Sequence, residues 1–213
     1  MLIGVFDSGR GGHFVAARLR TLLPEHTFEV IDDHEHVPYG DRSVEEIIAL
    51  TDAALQPLIA KTRVIVIACN TATAVAIDFL RASYPNHQFI GYEPMVKPLC
   101  NMTKNGVILA TRATLRSNRY AALKQDFISH VIAEPDTTNW AFYIENGRQD
   151  EISYNELDEI INSGANVIAL SCTHYLALED SLKARYEGRA TVIEPTAAIA
   201  NRIQTVITML QPQ

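Results

Sequence analysis

Short apolar runs punctuate the chain at intervals: LIGVF from Leu2, FEVID from Phe28, RVIVIA from Arg63, QFIGY from Gln88, GVILA from Gly106, HVIAE from His130, NVIAL from Asn166 and TVIEP from Thr191. Short β-branched runs of this kind predict strands, and those that precede Cys69 and Cys172 have the pattern of buried ones. Between them lie stretches of a different period. GHFVAARLRTLLP and SVEEIIALTDAALQPLIAK repeat apolar residues every three or four positions, which predicts amphipathic helices. Strands alternating with helices predict an α/β protein with mainly parallel sheets covered by helices.

The pattern also repeats on a larger scale. Gly4-Val5 opens a strand and Cys69 follows one; Gly106-Val107 and Cys172 do the same at almost the same interval. Two α/β units built on one plan are expected, with chance similarity of short segments as the alternative.

At 213 residues and 47% hydrophobic, the chain has enough apolar material for one large or two small cores. A formal net charge of −7, from 18 Lys and Arg against 25 Asp and Glu with no basic run, offers no footprint for nucleic acid or an anionic membrane. The opening MLIGVFDSGRGGHF has no secretory-leader pattern and no run reaches a membrane-spanning length, so a cytoplasmic protein is expected. Three cysteines make neither a disulfide framework nor a paired metal spacing, and reduced thiols are expected. Cys100, in MVKPLCNMTK, has no reactive polar neighbour and reads as structural.

Cys69, in VIVIACNTATA, and Cys172, in VIALSCTHYLA, share a setting: each follows a buried strand and precedes a helical pattern. The carboxyl ends of strands are where open α/β sheets form ligand crevices. A following helix would turn N–H groups and a partial positive charge toward each thiol, lowering a reference pKa of about 8.5. Small apolar residues closing two strands are the structural alternative.

The stretch IGVFDSGRGG runs from a strand into Asp7, Ser8 and a glycine turn. It lacks the Lys-hydroxyl ending of a P-loop and the glycine spacing of a dinucleotide fingerprint. Capping of the next helix by Asp7 or Ser8 is its structural alternative. In DDHEHVPYGDRS, His34 and His36 would share a face of an extended segment, but no third ligand stands at a diagnostic spacing, so no metal is assigned. The Pro38-Tyr39-Gly40 turn reads either as a turn alone or as a loop whose backbone meets a small substrate.

Together, and in this order, IGVFDSGRGG, PYGDRS, IACNTATA, GYEPMVKP, ATRAT and SCTHYLAL resemble the glutamate racemases of the cofactor-independent aspartate/glutamate racemase superfamily, from the first strand to about Ala200. The resemblance implies two similar three-layer α/β units, residues 1–93 plus 195–213 and residues 94–194, with an active cleft between them. It implies two-base racemisation without pyridoxal phosphate, metal or nucleotide. Cys69 resembles the base acting on the D-enantiomer and Cys172 the base acting on the L-enantiomer, with Asp7 and His174 as their acid–base helpers. Ser8, Pro38, Tyr39, Gly40, Asn70, Thr71, Thr111, Thr114 and Thr173 match positions that hold the substrate's ammonium and carboxylates or orient those that do. Glu145, in YIENG, resembles a further acidic residue near the second cysteine; its alternative is a surface glutamate in a turn.

Two departures stand out. Arg10 occupies a position where the family has a small apolar residue, and it could pair with a second carboxylate, alter specificity or point to solvent. The chain also stops soon after IEPTAAIANRI, short of the family's usual later segment, from which reduced or redirected activity is expected. The implied partner is a small amino acid, with neither nucleic acid nor membrane, and a homodimer is an open alternative. A racemase for aspartate or another amino acid, a cysteine-dependent lyase of the same superfamily and a non-catalytic amino-acid-binding protein are the other readings. Retention of both cysteines argues against the lyase.

Overall fold

The structure, a computed structural model, describes residues 1–210. It divides into two compact units, residues 1–93 with the segment from 195 onward, and residues 94–194.

The first unit begins with β1 (Leu2–Asp7), α1 (Gly11–Leu22), β2 (Thr27–Asp32), α2 (Val44–Ile59), β3 (Val64–Ile67), α3 (Asn70–Ser83) and β4 (Gln88–Gly91). The second holds α4 (Val96–Met102), β5 (Asn105–Ala110), α5 (Arg112–Arg116), α6 (Asn118–Gln125), β6 (Val131–Ala133), α7 (Trp140–Glu145), α8 (Asn155–Asn162), β7 (Val167–Ser171), α9 (Glu179–Arg185) and β8 (Thr191–Ile193). The chain then re-enters the first unit as α10 (Thr196–Leu210), which packs against α1 and β4. The Tyr92 hydroxyl, just after β4, donates to Thr196 Oγ1 at 3.3 Å and ties the start of α10 to this sheet.

All strand pairs are parallel. The sheet orders are β2-β1-β3-β4 and β6-β5-β7-β8, one winding used twice. Every apolar run named above forms one of these strands, and β3 is wholly buried, Val64 to Ile67 at 0% exposure. That is why it reads as continuous rather than alternating.

Right-handed crossovers assign the layers. The step from β1 to β2 runs one way along the sheet and those from β2 to β3 and β3 to β4 run the other, so α1 lies on one face with α10, and α2 packs with α3 on the opposite face. In the second unit α4 packs with α6, covering β5 and β7 through Met95, Val96, Leu99, Ile108, Tyr120 and Ala169. Gly106 permits this close approach: a Cβ there would stand 2.5 Å from Leu99. No helix among the described residues is long and apolar enough to cross a membrane.

Candidate active site

The reversal of winding direction in the first unit falls between β1 and β3, and loops leaving such a switch point diverge to leave a crevice at the carboxyl ends. Asp7 ends β1, Ser8 follows it, and Cys69 follows β3. The register pairs Phe6 with Ile67. The Ser8 hydroxyl lies 3.2 Å from Cys69 Sγ, with both residues buried. Cys69 is the N-cap of α3 and its sulfur accepts the Ala72 N–H at 3.4 Å. A helix of 14 residues thus presents its N-terminus to the thiol, surroundings that stabilise negative charge on sulfur.

Buried polar residues fix this corner. Asn70 Nδ2 donates to the Tyr92 carbonyl at 2.9 Å, Thr73 Oγ1 donates to the Ile67 carbonyl at 2.9 Å, and Thr71 is buried beside them. Asp7, wholly buried, accepts the Gly9 N–H at 3.2 Å. The N-cap position of α1 is Arg10, whose own side chain makes no cap bond. The first turn of α1 comes so close to the strand end that a Cβ on Gly12 would stand 2.7 Å from that of Asp7, which accounts for glycine there. Arg10 is exposed.

The second polar cluster has a use other than metal. His34 Nδ1 bonds Asp32 at 3.3 Å and His36 Nδ1 bonds Asp33 at 2.7 Å. Among the described residues, no group of three or more His, Cys, Asp or Glu is arranged to hold a metal ion. Pro38 follows a cis peptide bond and leads into a 3-10 turn, Tyr39–Asp41, that packs against α3. Tyr39 is buried against Phe6 and donates its hydroxyl to Asp33 at 2.6 Å, with Gly40 half-buried beside it. Burial, and then the bond to Asp33, push the phenol far above its ordinary range.

In the second unit the equivalent switch point lies between β5 and β7, whose ends lead to Thr111 and Cys172. The helix expected after Cys172 is not an α-helix. Residues Thr173–Leu178 form a 3-10 helix, and Cys172 makes no side-chain cap bond. Thr173, His174, Tyr175 and Leu176 are all buried along it. The α-helix α9 starts at Glu179, with Glu179 and Asp180 in its first turn and Lys183 and Arg185 in its last, matching the helix dipole.

The Cys172 thiol has an imidazole partner instead: Sγ lies 3.8 Å from His174 Nδ1. His174 Nε2 meets Glu145 Oε2 at 2.6 Å. An ionised carboxylate only accepts, so the ring carries a proton on Nε2 and a neutral ring turns the Nδ1 lone pair toward the thiol. Glu145 is therefore not a surface glutamate. It ends α7, its side chain is 11% exposed, and α7 is held on the 3-10 helix by the edge contact of Trp140 with Tyr175, centroids 5.8 Å apart. Thr111 caps α5, with Oγ1 accepting the Thr114 N–H at 3.4 Å and lying 3.1 Å from Thr114 Oγ1. Thr173 and Thr114 are buried. Cys100 lies in the apolar core with Leu99 and Ile108, and burial pushes its thiol up.

Residues 14–203 match the family model described as Asp/Glu/Hydantoin racemase. The chain belongs to this racemase family. A glutamate racemase of Ectopseudomonas mendocina is 36% identical over 215 residues, covering 96% of this chain and 81% of that relative. Among solved structures, Escherichia coli glutamate racemase in complex with L-glutamate and the activator UDP-MurNAc-Ala is 26% identical, with a TM-score of 0.83, 100% of this chain and 84% of that one covered. A glutamate racemase isoform from Bacillus anthracis is 28% identical, with a TM-score of 0.79 over 98% of this chain and 82% of that one. The two α/β units of this racemase-family chain thus share their fold with glutamate racemase structures.

Two residues at the strand ends escape the sequence reading of this family member. Thr137 Oγ1 donates to the Ala110 carbonyl at 2.7 Å, pinning the residue before Thr111, and nothing in its irregular segment signals that. Asp33 fixes Tyr39, and its signal was its place in a polar cluster weighed only for metal.

Proposed function

We propose that this chain interconverts L- and D-glutamate without a cofactor, using Cys69 and Cys172 as two bases of opposite facial selectivity. One thiolate takes the α-hydrogen as a proton, the Cα carbanion becomes planar, and the other thiol gives its proton to the far face. Inversion requires two bases because a single one returns the proton to the face it left. The observation that carries the reading is that each of two identically wound sheets ends its third strand in a buried thiol with its own polar partner, Ser8 for Cys69 and His174 with Glu145 for Cys172.

An α-proton beside an ammonium and a carboxylate is weakly acidic, so charge developing at Cα needs preorganised donors and exclusion of water. In this reading Asp7 and His174 assist the thiols, with Glu145 behind His174. Ser8, Pro38, Tyr39, Gly40, Asn70, Thr71, Thr111, Thr114 and Thr173 hold or orient the substrate's charged groups. Glutamate as substrate rests on the relatives named glutamate racemase at 33% identity and above.

Incubating the protein with pure L-glutamate, then pure D-glutamate, in deuterium oxide tests the proposal by chiral chromatography and mass. Appearance of the other enantiomer carrying one α-deuterium is expected from either side. Decarboxylation, or neither exchange nor inversion, would overturn it, and a panel of other amino acids run alongside identifies a different substrate.

A further inference from the structure

We propose that Asp33 is a positioning residue that sets affinity for the amino acid by clamping the Pro38-Tyr39-Gly40 segment; the inference rests on the reading above. Asp33 begins where β2 stops, and its N–H donates to the Asp7 carbonyl at 3.1 Å, so its place is set by the strand end that carries the candidate acid. Both oxygens of its carboxylate reach forward into the same loop. Oδ1 meets His36 Nδ1 at 2.7 Å and Oδ2 accepts the Tyr39 hydroxyl at 2.6 Å.

The loop is closed from its other end by Arg42, whose Nε donates to the His36 carbonyl at 2.8 Å and whose N–H donates to the Tyr39 carbonyl at 3.1 Å. Tyr39 is 1% exposed and the Asp33 side chain 13%, so this charge-assisted bond is shielded from water and stronger than a neutral one. Burial and the carboxylate keep the phenol protonated and donating, and negative charge on the nearby Cys69 acts in the same direction. The Tyr39 hydroxyl therefore anchors its own loop. Asp33 touches no reacting atom in this scheme; its influence passes through loop geometry, which affects how well a ground state is bound more than how a proton moves.

Asp33→Asn and Tyr39→Phe test this. The phenylalanine keeps the ring packed on Phe6 and deletes only the bond, so it reports even where the asparagine variant unfolds. Each variant is expected to raise KM by about tenfold, the worth of one hydrogen bond to a charged group, with kcat within about threefold of the parent. Enantiomers are equally stable, so kcat/KM must fall by the same factor from both sides. The double variant should be no worse than the more impaired single one, because the two share the Tyr39–Asp33 bond and their effects cannot add in full. A fall in kcat with KM unmoved, additive effects, or unchanged KM in Tyr39→Phe overturns the proposal. Wild-type inversion with unmoved KM in the variants sinks the Asp33 role alone. A wild type that neither inverts glutamate nor binds it by calorimetry sinks the racemase reading and this inference with it.

Discussion

The two cysteine-bearing strand ends share an address and differ in their chemistry. At Cys69 the support includes fixed dipoles, a helix N-terminus, one backbone N–H and the Ser8 hydroxyl, with the candidate helper Asp7 at the adjoining strand end. At Cys172 it is titratable: an imidazole backed by a carboxylate, with no α-helix meeting the sulfur. Identical winding decides where a thiol sits, while the half-dozen residues after it decide what stabilises its charge. NTATAVAIDF continues into a 14-residue α-helix, whereas THYLAL forms a short 3-10 helix that buries nearly every side chain. A dipole biases a thiol without holding a proton; a histidine accepts and returns one.

If both ends are bases, the largest effect comes from deleting either. Cys69→Ser and Cys172→Ser should each reduce inversion by about 10⁴-fold or more, measured by chiral chromatography from each enantiomer, with circular dichroism unchanged. Substantial inversion by one of them would reduce the pair to a single base.

A smaller effect sharpens the contrast. His174→Asn should lower kcat by about 10²-fold, chiefly in the direction begun by Cys172, and Glu145→Gln less so, with the double variant close to His174→Asn alone. Ser8→Ala should cost about tenfold, chiefly in the direction begun by Cys69. The ratio of the two kcat/KM values must stay at unity throughout, which checks each data set internally. Equal losses in both directions for every variant would erase the distinction between the two supports.

The smallest effect belongs to the third thiol. Cys100 sits in an apolar core with its thiol pushed up, which disfavours the reactive thiolate. Cys100→Ala should leave kcat within about twofold and lower stability by about 1 kcal/mol in urea denaturation. A large loss of turnover would contradict its structural assignment.

The strands were legible because parallel strands buried on both faces write themselves as continuous apolar runs, and the cysteine addresses followed from where those runs stop. The supports were less legible. Glu145 reaches His174 across 29 positions of sequence, from a short helix entered through the left-handed Asn139 at φ 67°, and no periodicity anticipates that geometry. The 3-10 helix after Cys172 was hidden for the opposite reason: its apolar residues fit an α-helical period as well as a tighter one. Asp33 was visible as a residue but not as a clamp, because the value of its carboxylate lies in where β2 ends.

The return of α10 to the first unit has a consequence for biosynthesis. Strand β4 and helix α1 leave the ribosome long before the helix that packs on them, since residues 94–194 must be made in between. At about 5–20 residues per second, roughly 5–20 s pass with that apolar face uncovered. The intervening unit is continuous in the chain and is free to complete itself during synthesis, so the half that is translated first is the half that finishes folding last.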